Sequence, residues 1–128
     1  MHQFIDSPGD VIAVKISGTI TGEDLDAIMD RTDAAMAGEG NVHVYVETHG
    51  IDGIQLSAMP HYMSRALPLF GKIGRFDRVA VVADQAWIRA GSRIESALLS
   101  GISYMVVGPE KRDEALAWVL KGEELAAA

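Results

Sequence analysis

At 128 residues the chain fits one domain and is long enough to bury a core without staples. It contains no cysteine, which excludes disulfides, thiolate metal sites and cysteine nucleophiles. Its 18 acidic against 11 basic residues give a net charge of −7, which argues against nucleic acid as a partner, because that role needs a cationic surface.

Gln3 to Ile5 reads as a short first strand, and Asp6, Ser7, Pro8, Gly9 and Asp10 have the composition of a turn. Val11 to Ile16 is a second strand, with Ile12, Val14 and Ile16 on one face and Val11, Ala13 and Lys15 on the other. The two are expected to form an antiparallel hairpin. Thr21 stands where a helix N-cap belongs, and Glu23 and Asp24 follow where the helix dipole favours acids. Leu25, Ile28, Met29, Thr32 and Met36 recur at helical spacing. Asp26, Asp30 and Asp33 face away and are read as solvated, and Gly38 and Gly40 close the helix.

Asn41 to Thr48 alternates cleanly, with Val42, Val44 and Val46 opposite His43, Tyr45 and Glu47. His49 to Gly53 reads as a loop. Leu56, Met59, Met63, Ala66, Leu67, Phe70 and Ile73 mark a second amphipathic helix, weakened or kinked near Pro60 and Pro68. Arg78 to Ala83 is a short apolar run suited to a strand buried on both faces. Trp87, Gly91, Ile94 and Leu98 give a third helical stripe, Ile102 to Val107 a last strand, and Glu110 to Lys121 a last helix. The order β-β-α-β-α-β-α-β-α predicts an α/β fold: a single mixed, mostly parallel sheet of four or five strands flanked by about four helices. One domain is expected over residues 1–122, with a frayed tail at 123–128.

No apolar run approaches the ~20 residues that span a bilayer, and the N-terminus lacks the basic flank and apolar stretch of a signal peptide. The expected location is the cytoplasm, with peripheral membrane association as an extension of it. Charge is unevenly spread: residues 1–56 carry −8, residues 57–101 carry +3 and residues 102–128 carry −2. The cationic middle segment contains Arg65, Lys72, Arg75, Arg78, Arg89 and Arg93.

Three stretches resemble the SpoIIAA-like family, a relative of the STAS (anti-sigma-factor antagonist) domains. They are VIAVKISGTITGED from Val11 to Asp24, RVAVVAD from Arg78 to Asp84 followed by Trp87, and EALAWVL from Glu114 to Leu120. The resemblance implies two possible roles. One is a regulator of protein partners, switched by phosphorylation of a serine after the third strand. The other follows from similarity to lipid-carrying CRAL-TRIO domains, in which the second and third helices cover an apolar ligand or lie against a membrane.

The loop from Thr48 to Ser57 lacks the Asp-Ser pair of the phospho-switch. Ser57 is the weak candidate there; it lies a few residues late and reads more as an N-cap of the second helix. The lipid reading rests on Met59, Met63, Leu67, Leu69 and Phe70, joined by Trp87, Ile88, Arg89 and Arg93, because apolar surface beside basic side chains suits a lipid-like ligand or an anionic membrane surface. Leu69 lies off the main stripe and widens that surface. The leading expectation is therefore a non-enzymatic module for an apolar or amphipathic ligand, with a regulatory protein as the alternative partner.

No nucleotide-binding, nucleophile-elbow or zinc motif is present, and no catalytic residue, metal or cofactor is expected. His49 with Glu47 and Asp52 is the one local group able to do acid–base work. A homodimer is also expected, through the face of Val11, Ala13, Lys15, His43 and Tyr45, on the supposition that every helix packs on the opposite side.

Overall fold

The computed structural model describes residues 1–83 and 103–121. Five strands form one sheet in sequential order: β1 (His2–Phe4), β2 (Val11–Ile20), β3 (Val42–Ile54), β4 (Phe76–Val82) and β5 (Ser103–Val107). β1 runs antiparallel to β2, and each later pair is parallel, as the sequence order predicted. Three α-helices are present among the described residues: α1 (Gly22–Met36), α2 (Met59–Phe70) and α3 (Arg112–Lys121). The expected helix through Trp87 and Leu98 lies outside the described residues, as do the expected tail and Ile102.

Thr21 is the N-cap of α1, and the cap is a full capping box. Its hydroxyl accepts from the Asp24 amide at 3.2 Å, and Asp24 accepts from the Thr21 amide at 2.9 Å. The C-terminal end of α1 is closed by Arg75, which donates to the carbonyls of Met36, Gly38 and Gly40 at 2.6–2.9 Å. A guanidinium there satisfies orphan carbonyls and opposes the negative end of the helix dipole. Arg78 does the same for α3, donating to the Val119 carbonyl at 3.0 and 3.2 Å.

Both faces of the sheet are covered. On one, Ile12, Val42 and Val44 pack with Ala35 and Met36 of α1 and Leu69 of α2. On the other, Val11, Ala13, Tyr45, Ala80 and Val82 pack with Ala115, Trp118 and Val119 of α3. The supposition behind the dimer face therefore fails, since α3 occupies the side carrying Val11, Ala13 and Tyr45. The strand before it explains why: Met105 and Val107 of β5 join the same cluster, so the chain returns over this face to bury them.

β2 and β3 are longer than the alternation suggested. β2 continues to Ile20 and β3 to Ile54, so the segment His49 to Gly53 is strand and not loop. Ser17 pairs with His49, Gly18 with Ile51 and Thr19 with Gly53, so Gly50 and Asp52 are extra residues accommodated as bulges. Gly18 (φ 62°) and Gly50 (φ 56°) supply the left-handed backbone that these irregularities need. Turn-forming residues here bend a strand pair without ending it.

Candidate functional site

Two regions hold the chemistry. The first is built at the carboxyl ends of β4 and β5, the end of a parallel sheet where ligands usually sit. Lys15 of β2, Glu47 of β3 and Val82 of β4 lie level in the register. Glu47 is only 2 % exposed. The Tyr45 hydroxyl donates to its Oε1 at 2.6 Å, Arg112 Nε also donates to Oε1, and His49 Nε2 contacts Oε2. Burial pushes the Glu47 carboxyl up, but the hydrogen bonds from Tyr45, His49 and Arg112 outweigh it and hold the group below its ordinary range. Tyr45, wholly buried, is driven the other way, first by burial and then by its bond to the Glu47 carboxylate.

An ionised carboxylate only accepts hydrogen bonds, so His49 presents its Nε2 proton to Glu47. The His49 side chain itself is 56 % exposed. Sequence reading placed His49 beside Glu47 correctly. It missed Arg112, which is far along the chain and reaches back from the first turn of α3, and it joined Asp52 to the group, whereas Asp52 makes no ion pair among the described residues. Alternation on β3 was the one available signal: it put Tyr45 and Glu47 on one face, and the continuation of the strand past Thr48 adds His49 to it.

The second region is α2. Its inward residues are Met59, Tyr62, Ala66 and Leu69, all partly buried, and Leu69 packs on the core cluster of α1 and the sheet. Leu69 thus does not widen an outer surface. Leu56, Met63 and Leu67 instead point outward, at 79 %, 41 % and 58 % exposure. The expected stripe is therefore split, with Met59 and Ala66 inward and Leu56, Met63 and Leu67 outward. The Phe70 side chain, Trp87, Ile88, Arg89 and Arg93 lie outside what is described.

Charges around α2 are mostly consumed within the molecule. Arg65 donates to Asp26 at 3.3 Å, Asp30 at 2.9 Å and Asp33 at 2.8 Å, and His61 meets Asp26 at 2.9 Å. The bonds to Asp33 and Asp30, outweighing desolvation, push the Arg65 guanidinium above its ordinary value. The acidic face of α1 is thus a clasp for α2 as well as a solvated surface. Arg75 and Arg78 are committed to helix ends, as described above. Lys72 forms no ion pair among the described residues and lines an open groove of about 370 Å³ between α1 and α2, with Met36, Pro68 and Leu69 on its walls. Ser57 lies in a 3-10 turn (Leu56–Ala58) and caps nothing: the N-cap of α2 is Ala58, which makes no side-chain cap bond.

A family model described as SpoIIAA-like matches residues 11–120. Among solved structures, an uncharacterised protein from Shewanella loihica PV-4, of the DUF3478 family with a SpoIIAA-like fold, superposes with a TM-score of 0.62 at 22 % identity. The match covers 93 % of this chain and 92 % of that one. No curated protein sequence matches the chain. No helix among the described residues is long and apolar enough to cross a membrane.

Proposed function

The chain belongs to the SpoIIAA-like family, and on that premise we propose that it is a non-enzymatic STAS-type module that docks a partner protein through the outward face of α2. The observation that carries this reading is the exposed apolar row of Leu56, Met63 and Leu67. Methionine and leucine at helical spacing suit the apolar face of an amphipathic segment. The net charge of −7 favours a partner with a basic rim. A bilayer is favoured less, because Arg65, Arg75 and Arg78 are already bound by carboxylates and carbonyls.

The test is a Met63→Asp/Leu67→Asp double variant. Both side chains are exposed, so the melting temperature is expected to change little. Affinity for a partner captured by the parent chain is expected to fall by more than about tenfold. Equal capture by parent and variant overturns the reading. So does co-sedimentation of the parent, and not the variant, with anionic vesicles, which assigns the face to a membrane. Loss of a concentration-dependent dimer in the variant assigns it to a second copy.

One observation favours a second reading, an amphipathic small ligand of the lipid-like kind. The α1–α2 groove sets Met36, Pro68 and Leu69 beside the charged Asp33, Arg65 and Lys72, and Lys72 makes no ion pair among the described residues. Extraction and mass spectrometry of the purified protein tests it, and no co-purifying lipid counts against it.

A further inference from the structure

Beyond α2, a smaller groove of about 140 Å³ opens on the sheet where β1, β2 and β3 meet, lined by Met1, His2, Gln3, Lys15, Ser17 and His49. It has room for roughly four or five water-sized groups. No carboxylate lines it, in a chain with 18 acids against 11 bases. Gln3, Lys15 and Glu47 are level across the three strands, and Ser17 is level with His49. Residues in register across strands present their side chains on the same face. Lys15 makes no ion pair among the described residues, and Glu47 is already bound by Arg112 and His49.

His49 is held from behind. A buried carboxylate, itself fixed by a tyrosine hydroxyl and an arginine, grips Nε2, while Nδ1 makes no hydrogen bond among the described residues. An exposed histidine in water needs no such support. The same arrangement of a ligand-facing group steadied by buried partners is how binding sites are kept in register. The bulges at Gly18 and Gly50 fall immediately after Ser17 and His49, and bulges commonly re-aim side chains beside sites.

We infer that this groove binds a small protonated oxyanion of the phosphate class, with Lys15 pairing an anionic oxygen and His49 Nδ1 accepting from a P–OH group. In the tautomer that donates Nε2–H to Glu47, Nδ1 is an acceptor, and that form selects an anion that also carries a hydroxyl. The Ser17 hydroxyl and the Gln3 amide are further donors to the remaining oxygens. Phosphate and simple phosphomonoesters satisfy this pattern, whereas sulfate at neutral pH has no hydroxyl to give.

The experiment is a titration of the full chain with inorganic phosphate, at constant ionic strength, followed by amide and imidazole NMR shifts. Saturable shifts are expected at Lys15, Ser17 and His49, with sulfate at least about tenfold weaker. Lys15→Met is expected to weaken phosphate by about tenfold or more while leaving the remaining spectrum folded, and Lys15→Arg to restore binding in part. A parallel titration with glycerol phosphate distinguishes the free ion from a phosphomonoester by which binds tighter. Absence of saturable shifts at these three residues, or equal phosphate affinity in Lys15→Met, overturns the site. Equal affinity for sulfate and phosphate overturns the role given to His49.

Discussion

Glu47 is a buried carboxylate held by three side chains, Tyr45, His49 and Arg112. A carboxylate this deeply buried is tolerated because each of its oxygens meets a donor, and no buried side-chain polar atom among the described residues lacks a partner. Glu47→Gln replaces an acceptor-only group with one that cannot accept from Tyr45, Arg112 and His49 alike, and is expected to cost about 1–3 kcal/mol in chemical denaturation. The pH dependence follows from the depressed carboxyl. Its contribution is complete above the ordinary carboxylate value of 4.5 and is lost as pH falls through the lower folded value, because the unfolded chain takes up the proton first. Asp24 behaves in the same way: burial raises it, but bonds from the N-terminal ammonium, Thr21 and His2 prevail. Stability of the parent should therefore fall on acidification below about pH 4.5, and the fall should be shallower in Glu47→Gln. An unchanged acid limb in the variant contradicts this assignment.

At the scale of elements, the β2–β3 pair shows how turn chemistry can serve a strand. Gly50 holds a positive φ with nothing within 4 Å of where a Cβ would stand, so the objection to a larger residue is conformational and not steric crowding. Gly50→Ala is expected to destabilise by about 1–2 kcal/mol, read from the denaturation midpoint. Gly9, also without near neighbours but without a positive φ, is the control, and Gly9→Ala should be close to neutral. The helix ends illustrate the converse economy, in which arginines from the 3-10 turn at Ile73–Arg75 and from β4 close the last turns of α1 and α3. The last turn of α1 has no basic residue of its own.

For the whole molecule, the α1–α2 clasp sets how firmly α2 is presented. Arg65 gathers three aspartates of α1, and such exposed pairs are screened by salt. Hydrogen exchange of the α2 amides is expected to quicken as salt is raised in the parent. In Arg65→Met it should be fast at every salt concentration, with β3 and β4 protected as before. If α2 exchange in the parent is indifferent to salt, the clasp does not govern it. The same clasp bears on docking, because it leaves Met63 and Leu67 outward while removing the guanidinium that an anionic surface would have used.

Sequence alone determined the alternation of β3, the cap at Thr21, the parallel succession after an opening hairpin, and the shared face of Tyr45 and Glu47. Each of these depends on spacing within a few residues, where periodicity and capping chemistry act. Tertiary structure alone decided that His49 to Gly53 continues a strand, that Leu69 turns inward while Met63 and Leu67 turn out, and which acids the arginines meet. Those outcomes depend on partners distant in the chain: β2 supplies the register for the bulged segment, α1 supplies the aspartates for Arg65, and α3 supplies Arg112 for Glu47. A local pattern states that a residue is apolar or charged; only packing against a distant element selects which side it faces and which charge it keeps free.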